Sequence, residues 1–101
     1  MENDKPFIKD SLSIGKTMMS LVEPKYVKTT ADVLTFGAEK YGRDNWKKCQ
    51  DKSLYEDALL RHIFAYLDGE KCDQESGISH LAHASCNLMF LQWMEENEPK
   101  Q

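Results

Sequence analysis

Residues 55–90 read YEDALLRHIFAYLDGEKCDQESGISHLAHASCNLMF, which is two helical patterns separated by an acidic loop. Before the loop, apolar residues recur at helical spacing and predict a helix that begins at Ser53 in a capping box with Glu56. The second pattern predicts a helix from about Ile78 to Glu95 that is apolar on two sides. Because a helix of that kind is buried on more than one side, the stretch predicts an all-α bundle.

The chain upstream of this stretch predicts one further helix and an irregular arm. A helix is expected from Thr29 or Thr30 to Gly42, because a threonine hydroxyl can cap its start and glycine favours its end. The residues before it combine charges, proline and glycine with little periodicity. We therefore expect a single all-α domain over residues 1–101. It is a small helical bundle of three to four helices, with an irregular N-terminal arm at 1–24 and a helical core at 25–101.

The composition indicates a soluble protein that does not bind nucleic acid in bulk. Of the 101 residues, 41% are hydrophobic and 30% are charged, a balance typical of a globular domain. The net charge of -4 provides no general attraction for a nucleic acid backbone. Three cysteines without paired spacing and no secretory segment predict a cytoplasmic protein with reduced thiols. No apolar run approaches the ~20 residues of a membrane span.

Polar residues on the last predicted helix are the first sign of a functional site. His80, His83 and Asn87 follow one another along one helix face. Such a set can hold a divalent metal, orient a phosphate or supply a general base near neutral pH. Each imidazole could equally be a core group that bonds to a backbone carbonyl. Asp73 and Glu75, in the loop before the helix, could complete a Mg²⁺ or Mn²⁺ site or could cap the helix instead.

A second concentration of functional groups lies at residues 39–46, EKYGRDNW, where the first predicted helix ends. Aromatic faces there can stack a nucleobase and the cations can bind phosphates, with Lys40 and Asn45 as the strongest candidates. The alternative is a loop that Trp46 anchors and whose charges are solvated. Lys16 follows a glycine as in a phosphate-binding P-loop, but the earlier glycine of that motif is missing. Lys16 is therefore expected to act only as a lone charge.

Four blocks between about Leu34 and Leu91 resemble a known family: KYG..NW, A..RH, D.ESG and H.AH...N. The family is called dATP/dGTP diphosphohydrolase, N-terminal domain, and its members are typically bacteriophage proteins. Its name implies release of diphosphate from a purine deoxynucleoside triphosphate with a divalent metal. The resemblance therefore implies a hydrolase in the host cell cytoplasm with Mg²⁺ or Mn²⁺ as its cofactor.

The residue chemistry and the resemblance together assign expected roles. Catalysis is expected of His62, His80 and His83. Substrate binding is expected of Lys16, Lys40, Tyr41, Asn45, Trp46, Arg61 and Asn87. The expected metal ligands are Asp73, Glu75, His80 and His83.

Two other functions fit the same residues. The helices lack the paired acidic motifs of the all-α nucleotide pyrophosphatases (Glu-x-x-Glu, then Glu-x-x-Asp) and carry histidine, arginine and asparagine instead. The chain could therefore be a non-catalytic sponge that sequesters nucleotide or cyclic nucleotide immune signals, an anti-defence protein that needs no metal. It could also be a helical protein whose polar stripe only fixes the register of its packing. The amphipathic helices further predict a homo-oligomer.

Overall fold

The computed structural model describes Pro6 and residues 15–98, and these residues form three α-helices and no strand. Helix α1 spans Pro24–Tyr41, α2 spans Lys52–Leu67 and α3 spans His80–Glu96. Short 3₁₀ turns cover Met19–Leu21 and Asn45–Lys48. The prediction of a small all-α bundle is confirmed. Most of the predicted arm at 1–24 lies outside the described residues, so the division into an arm and a core stays a prediction.

Helix α1 begins earlier than the sequence pattern predicted. Pro24 occupies its first turn, where a missing N–H costs nothing and the fixed φ of proline suits the helix. Thr29 and Thr30 are not caps, because both hydroxyls donate to the carbonyl of Tyr26 at 3.1 Å from inside the helix. The predicted end is confirmed: Gly42 follows the last residue with a φ of 95°, a conformation that glycine adopts without strain.

The other two helices begin at caps that lie near, but not at, the predicted residues. Asp51 caps α2, and its Oδ1 accepts hydrogen bonds from the backbone N–H of Ser53 at 3.0 Å and from the Ser53 hydroxyl at 2.6 Å. The prediction that Ser53 itself opens the helix was wrong because the carboxylate two residues earlier is the better acceptor. Ser79 caps α3, which begins at His80 rather than at Ile78.

Helix α3 is the central element, since it packs against both α1 and α2. Cys86 is its most deeply buried side chain, at 1% exposure, and lies with Ala82 against Val33 of α1. Apart from Val33, every buried residue in the described part of the chain lies on α3. Leu81 and Leu88 of this helix stay 49% and 51% exposed, so its neighbours cover one of its two apolar sides and leave the other largely open in the single chain.

Aromatic rings fix the segment between α1 and α2 onto α3. The Trp46 ring stacks on Phe90 with centroids 4.5 Å apart and meets Trp93 edge-on at 5.3 Å. The Tyr55 hydroxyl of α2 donates to the Trp46 carbonyl at 3.1 Å. Trp46 is thus the anchor of this segment, and it holds the neighbouring end of α1 beside α2 and α3.

A stripe of apolar side chains on α2 stays exposed in the single chain. Leu60, Phe64 and Leu67 follow one another at helical spacing and are 46%, 62% and 69% exposed. The predicted homo-oligomer would cover a face of this kind, and oligomerisation stays a prediction. None of the described helices has both the length and the hydropathy of a membrane span.

Candidate functional site

A cleft of about 1150 Å³ lies between the end of α1, the Asn45–Lys48 turn, α2 and α3. Pockets for small organic ligands measure about 300–1000 Å³, so the cleft is large enough for a nucleotide. Most of the predicted site residues line it: Lys40, Tyr41, Asn45, Trp46, His62, Asp73, Glu75, His83 and Asn87. Lys16 and Arg61 are exposed and do not line it.

Buried His80 lies behind the cleft, and both of its ring nitrogens have partners. Its Nε2 is 2.6 Å from Oε1 of Glu70, and its Nδ1 is 2.8 Å from Nδ1 of His62. A carboxylate only accepts hydrogen bonds, so Nε2–H of His80 donates to Glu70. In neutral His80 the lone pair is then on Nδ1, which accepts from Nδ1–H of His62. His80 therefore orients the ring of His62 in the cleft wall.

The rings of His62 and His83 stack on each other with centroids 4.4 Å apart and planes 10° apart. Burial lowers the pKa of His62, and the neighbouring His83 and His80 lower it further. Burial also lowers the pKa of His83, although the Asp73 carboxylate opposes that effect. Both imidazoles are therefore neutral at neutral pH, the form that binds metals and accepts protons.

The loop between α2 and α3 holds Asp73 beside the histidines. The backbone N–H of Ser76 donates to Oδ2 of Asp73 at 2.9 Å. Partial burial acts to raise the pKa of Asp73, but the hydrogen bonds from Ser76 outweigh it and the pKa lies below its usual value. Asp73 is consequently a charged carboxylate in a fixed orientation.

Ser76, His83 and Asp73 do not form a nucleophilic triad, although all three residue types are present. The Ser76 Oγ lies 2.7 Å from Nε2 of His83, and Oδ2 of Asp73 lies 4.0 Å from the same nitrogen. A serine triad requires the acid and the serine to bond to opposite ring nitrogens. Ser76 instead accepts from the N–H of Ile78 at 3.1 Å, so it organises the loop.

Three groups lie close enough together to hold a metal ion. His62, Asp73 and His80 each bring one ligand atom within 4.8 Å of the others. This grouping differs from the metal set predicted from the sequence. Of the other predicted ligands, Glu75 pairs with Lys40 and His83 contacts Ser76.

Lys40 and Glu75 bridge the two walls of the cleft. Nζ of Lys40 lies 2.5 Å from Oε2 of Glu75, and it also lies 5.1 Å from the centroid of the Tyr41 ring and 5.5 Å from that of Phe36. The hydrogen bond to Glu75 raises the pKa of Lys40, so the lysine keeps its charge. A lysine cation beside aromatic rings in a cleft can also contact a phosphate.

Two asparagines line the cleft, and they differ in whether their side-chain amides already form hydrogen bonds. Nδ2 of Asn87 donates to the carbonyl of His83 at 2.9 Å, so this buried amide is committed to its own helix. Asn45 is half-buried, and no hydrogen bond of its side chain occurs among the described residues. Asn45 therefore has a donor and an acceptor available for a ligand.

Sequence reasoning missed Glu70 and Ser76 as partners of the histidines. No spacing rule links a loop carboxylate to a histidine ten residues later, so Glu70 was not among the predicted site residues. Ser76 lies within the D.ESG block, so the motif itself carried a signal for it. Phe36 and Lys48, which also line the cleft, had no signal of this kind.

Comparison with known proteins agrees with these motifs. The family model described as dATP/dGTP diphosphohydrolase, N-terminal, matches residues 8–101. A protein of Salmonella phage PMBT28 named dATP/dGTP diphosphohydrolase is 39% identical over 85 residues, which cover 84% of this chain and 29% of that relative. The chain thus spans less than a third of the length of the relative, and no solved structure matches it. With a family model that matches nearly its whole length, the chain belongs to the dATP/dGTP diphosphohydrolase N-terminal family.

Proposed function

We propose that the chain carries the site at which purine deoxynucleoside triphosphates are hydrolysed to a monophosphate and diphosphate. Water attacks the α-phosphorus, the bond between the α-phosphorus and the bridging oxygen breaks, and diphosphate leaves with the bridging oxygen. The observation that carries this proposal is one cleft that combines a cation, aromatic faces, neutral histidines and a charged aspartate. The matching relative is named for this reaction, and it is a phage protein, so the proposed setting is the host cell cytoplasm.

The phosphate end of the substrate is proposed to lie at Lys40. Its ammonium lines the cleft, where it would offset charge on the departing diphosphate. Arg43 and Lys48 line the same region and would add positive charge. In a protein with a net charge of -4, these local cations supply the attraction that the whole surface does not.

The purine is proposed to lie against the aromatic wall. The Tyr41 side chain is 63% exposed and can stack a base. Trp46 is the weaker candidate for stacking, because its ring already packs on Phe90 and Trp93. The free amide of Asn45 can pair with the edge of a purine, where the N7 acceptor is common to adenine and guanine.

The histidine cluster supplies the chemistry at phosphorus in this proposal. His62, Asp73 and His80 form a donor set that fits a divalent ion, because two imidazoles and one carboxylate converge within 4.8 Å. Such an ion would neutralise phosphate charge and lower the pKa of a bound water. Neutral His83, stacked on His62 and lining the cleft, is placed to accept a proton from the attacking water.

A nucleotide-sequestering sponge is the second candidate, and one feature favours it. Among the described residues, Asp73 is the one carboxylate in the group of three side chains that could hold a metal ion. Glu75 forms an ion pair with Lys40 instead. A cleft with few carboxylates can bind a nucleotide through cations and aromatic rings without hydrolysing it. In this case the ligand would be a purine or cyclic nucleotide immune signal, and the protein would counter host defence without a cofactor.

Product analysis separates the two candidates. Purified protein is incubated with dATP, dGTP, dCTP or dTTP and with Mn²⁺ or Mg²⁺, and the products are resolved by anion-exchange chromatography. We expect dAMP and dGMP with equimolar diphosphate, and loss of both in Asp73→Asn. Asp68→Asn is the matched control, because it changes an exposed carboxylate at the start of the same loop. Tight binding of a cyclic di- or trinucleotide without turnover of any triphosphate would favour the sponge.

A further inference from the structure

Hydrogen bonds link Glu70 to His80 and His80 to His62, and this arrangement bears on which metal ion the cleft selects. We propose that Glu70 is the positioning residue of a metal centre formed by His62, Asp73 and His80, and that this centre selects Mn²⁺ or Co²⁺ over Mg²⁺. The role of the ion rests on the proposed function, whereas the binding of the ion can be measured without any nucleotide.

Glu70 determines which nitrogen of His80 can bind an ion. His80 is 4% exposed, so its two ring nitrogens depend on partners within the protein. Glu70 takes the Nε2 side at 2.6 Å, which holds the hydrogen on Nε2 and leaves the lone pair on Nδ1. The Glu70 side chain is 43% exposed and bonds to the nitrogen that faces away from His62, so it supports the centre without being a ligand.

The lone pair of His80 faces another nitrogen. Nδ1 of His80 and Nδ1 of His62 are 2.8 Å apart, and a single hydrogen between them makes this contact favourable. The same separation is short enough for one ion to bind both nitrogens in place of that hydrogen. His62 then carries its hydrogen on Nε2.

Asp73 adds the third ligand, and the complete set is rich in nitrogen. Its carboxylate is oriented by the N–H of Ser76 and lies within 4.8 Å of both imidazoles. Mg²⁺ prefers an octahedron of oxygen ligands and keeps much of its water. Two imidazoles with one carboxylate suit first-row transition ions instead. The donor set therefore favours Mn²⁺ and Co²⁺.

The strength of the positioning effect can be stated in advance. A carboxylate that fixes the tautomer of a histidine ligand commonly changes metal affinity by about 10- to 100-fold when it is removed. Glu70→Ala should therefore weaken Co²⁺ binding by that factor. Glu70→Gln keeps an acceptor oxygen for Nε2–H of His80 and should recover a large part of the loss.

Metal titration of the nucleotide-free protein tests this proposal. Calorimetry with CoCl₂, MnCl₂ and MgCl₂ gives the affinities, and the visible absorption of bound Co²⁺ reports its ligands. We expect one Co²⁺ site, a weaker Mn²⁺ site, and Mg²⁺ binding at least about tenfold weaker than that of Mn²⁺. Asp68→Ala changes an exposed carboxylate at the start of the same loop; it is the matched control and should leave the Co²⁺ spectrum unchanged.

Two results would overturn the proposal: Mg²⁺ binding as tight as Mn²⁺ binding, or Glu70→Ala binding Co²⁺ with the affinity and spectrum of the original protein. Circular dichroism of each variant verifies that its helices are intact. A protein that binds Co²⁺ as expected but hydrolyses no triphosphate would contradict the proposed function and leave this inference standing.

Discussion

Glu75→Gln should strengthen the binding of a nucleoside triphosphate, because it frees Lys40. In the free protein the two side chains are 2.5 Å apart and both line the cleft. A phosphate that binds Lys40 must compete with the Glu75 carboxylate for the same ammonium group. The native pair therefore opposes the binding step that Lys40 is proposed to assist.

The gain should be modest because the ion pair is open to solvent. The Lys40 side chain is 36% exposed and that of Glu75 is 64% exposed. Ion pairs this exposed are weak and are screened by salt. Glu75→Gln should therefore tighten binding by about two- to fivefold at low salt, and less as salt increases. Lys40→Met should weaken binding by about tenfold or more, because it removes a charge-assisted hydrogen bond.

Calorimetry with the α,β-methylene analogue of dATP and Mn²⁺ measures these affinities without hydrolysis. A variant with both Lys40→Met and Glu75→Gln should bind like Lys40→Met alone, since the carboxylate acts mainly through the lysine. Asp32→Asn is the matched control. It frees Lys28 from an ion pair on the same helix, and neither residue of that pair lines the cleft. If Glu75→Gln does not tighten binding, or tightens it equally without Lys40, the reasoning is wrong.

Three further predictions concern the fold and its histidines. At pH 8, iodoacetamide should alkylate exposed Cys72 quickly and buried Cys86 much more slowly. Burial raises the pKa of Cys86 from 9.0 to about 12 and so depletes its thiolate. If peptide mass spectrometry shows similar alkylation rates for Cys72 and Cys86, the buried position of Cys86 is wrong. Trp46→Ala should lower the free energy of unfolding, measured in urea, by about 2–4 kcal/mol, and Trp46→Phe should lower it less. If Trp46→Ala leaves the free energy of unfolding unchanged, Trp46 does not anchor the segment between α1 and α2. In EDTA, the free energy of unfolding should fall as the pH decreases below 6.5, the ordinary pKa of histidine. The pKa values of His62 and His83 are lowered in the folded protein, so in this pH range the unfolded chain binds more protons than the folded one. Equilibrium denaturation from pH 7 to pH 5 tests this, and a stability that increases toward pH 5 would exclude neutral histidines in the folded state.

The helices could be predicted because their signals are local. Gly42 ends α1 as its conformational freedom indicated, and α3 packs on both other helices, although its apolar side with Leu81 and Leu88 stays half exposed. The start of α1 was misjudged because capping by Thr29 or Thr30 was favoured over the equally local signal of proline in a first turn. Local signals of similar strength compete, so boundaries are less certain than the helices themselves.

The site was predictable only where it follows from one helix. His80 and His83 share a face of α3, so their proximity was expected. His62 joins them only through the packing of α2 on α3, which brings together residues that the sequence separates. The bond between Glu75 and Lys40 joins positions thirty-five residues apart, and no spacing rule could indicate it. Glu75 therefore seemed a metal ligand in sequence, whereas its partner in the fold is a lysine.

Hydrolysis of dATP in ¹⁸O-labelled water tests the central claim most directly, because it shows which phosphorus the water attacks. The reaction is run with Mn²⁺ and its products are analysed by mass spectrometry and ³¹P NMR. Attack at the α-phosphorus predicts dAMP that carries one ¹⁸O atom and diphosphate that carries none. Release of orthophosphate or triphosphate, label in the diphosphate, or no turnover by a protein that has bound Mn²⁺ would contradict the account.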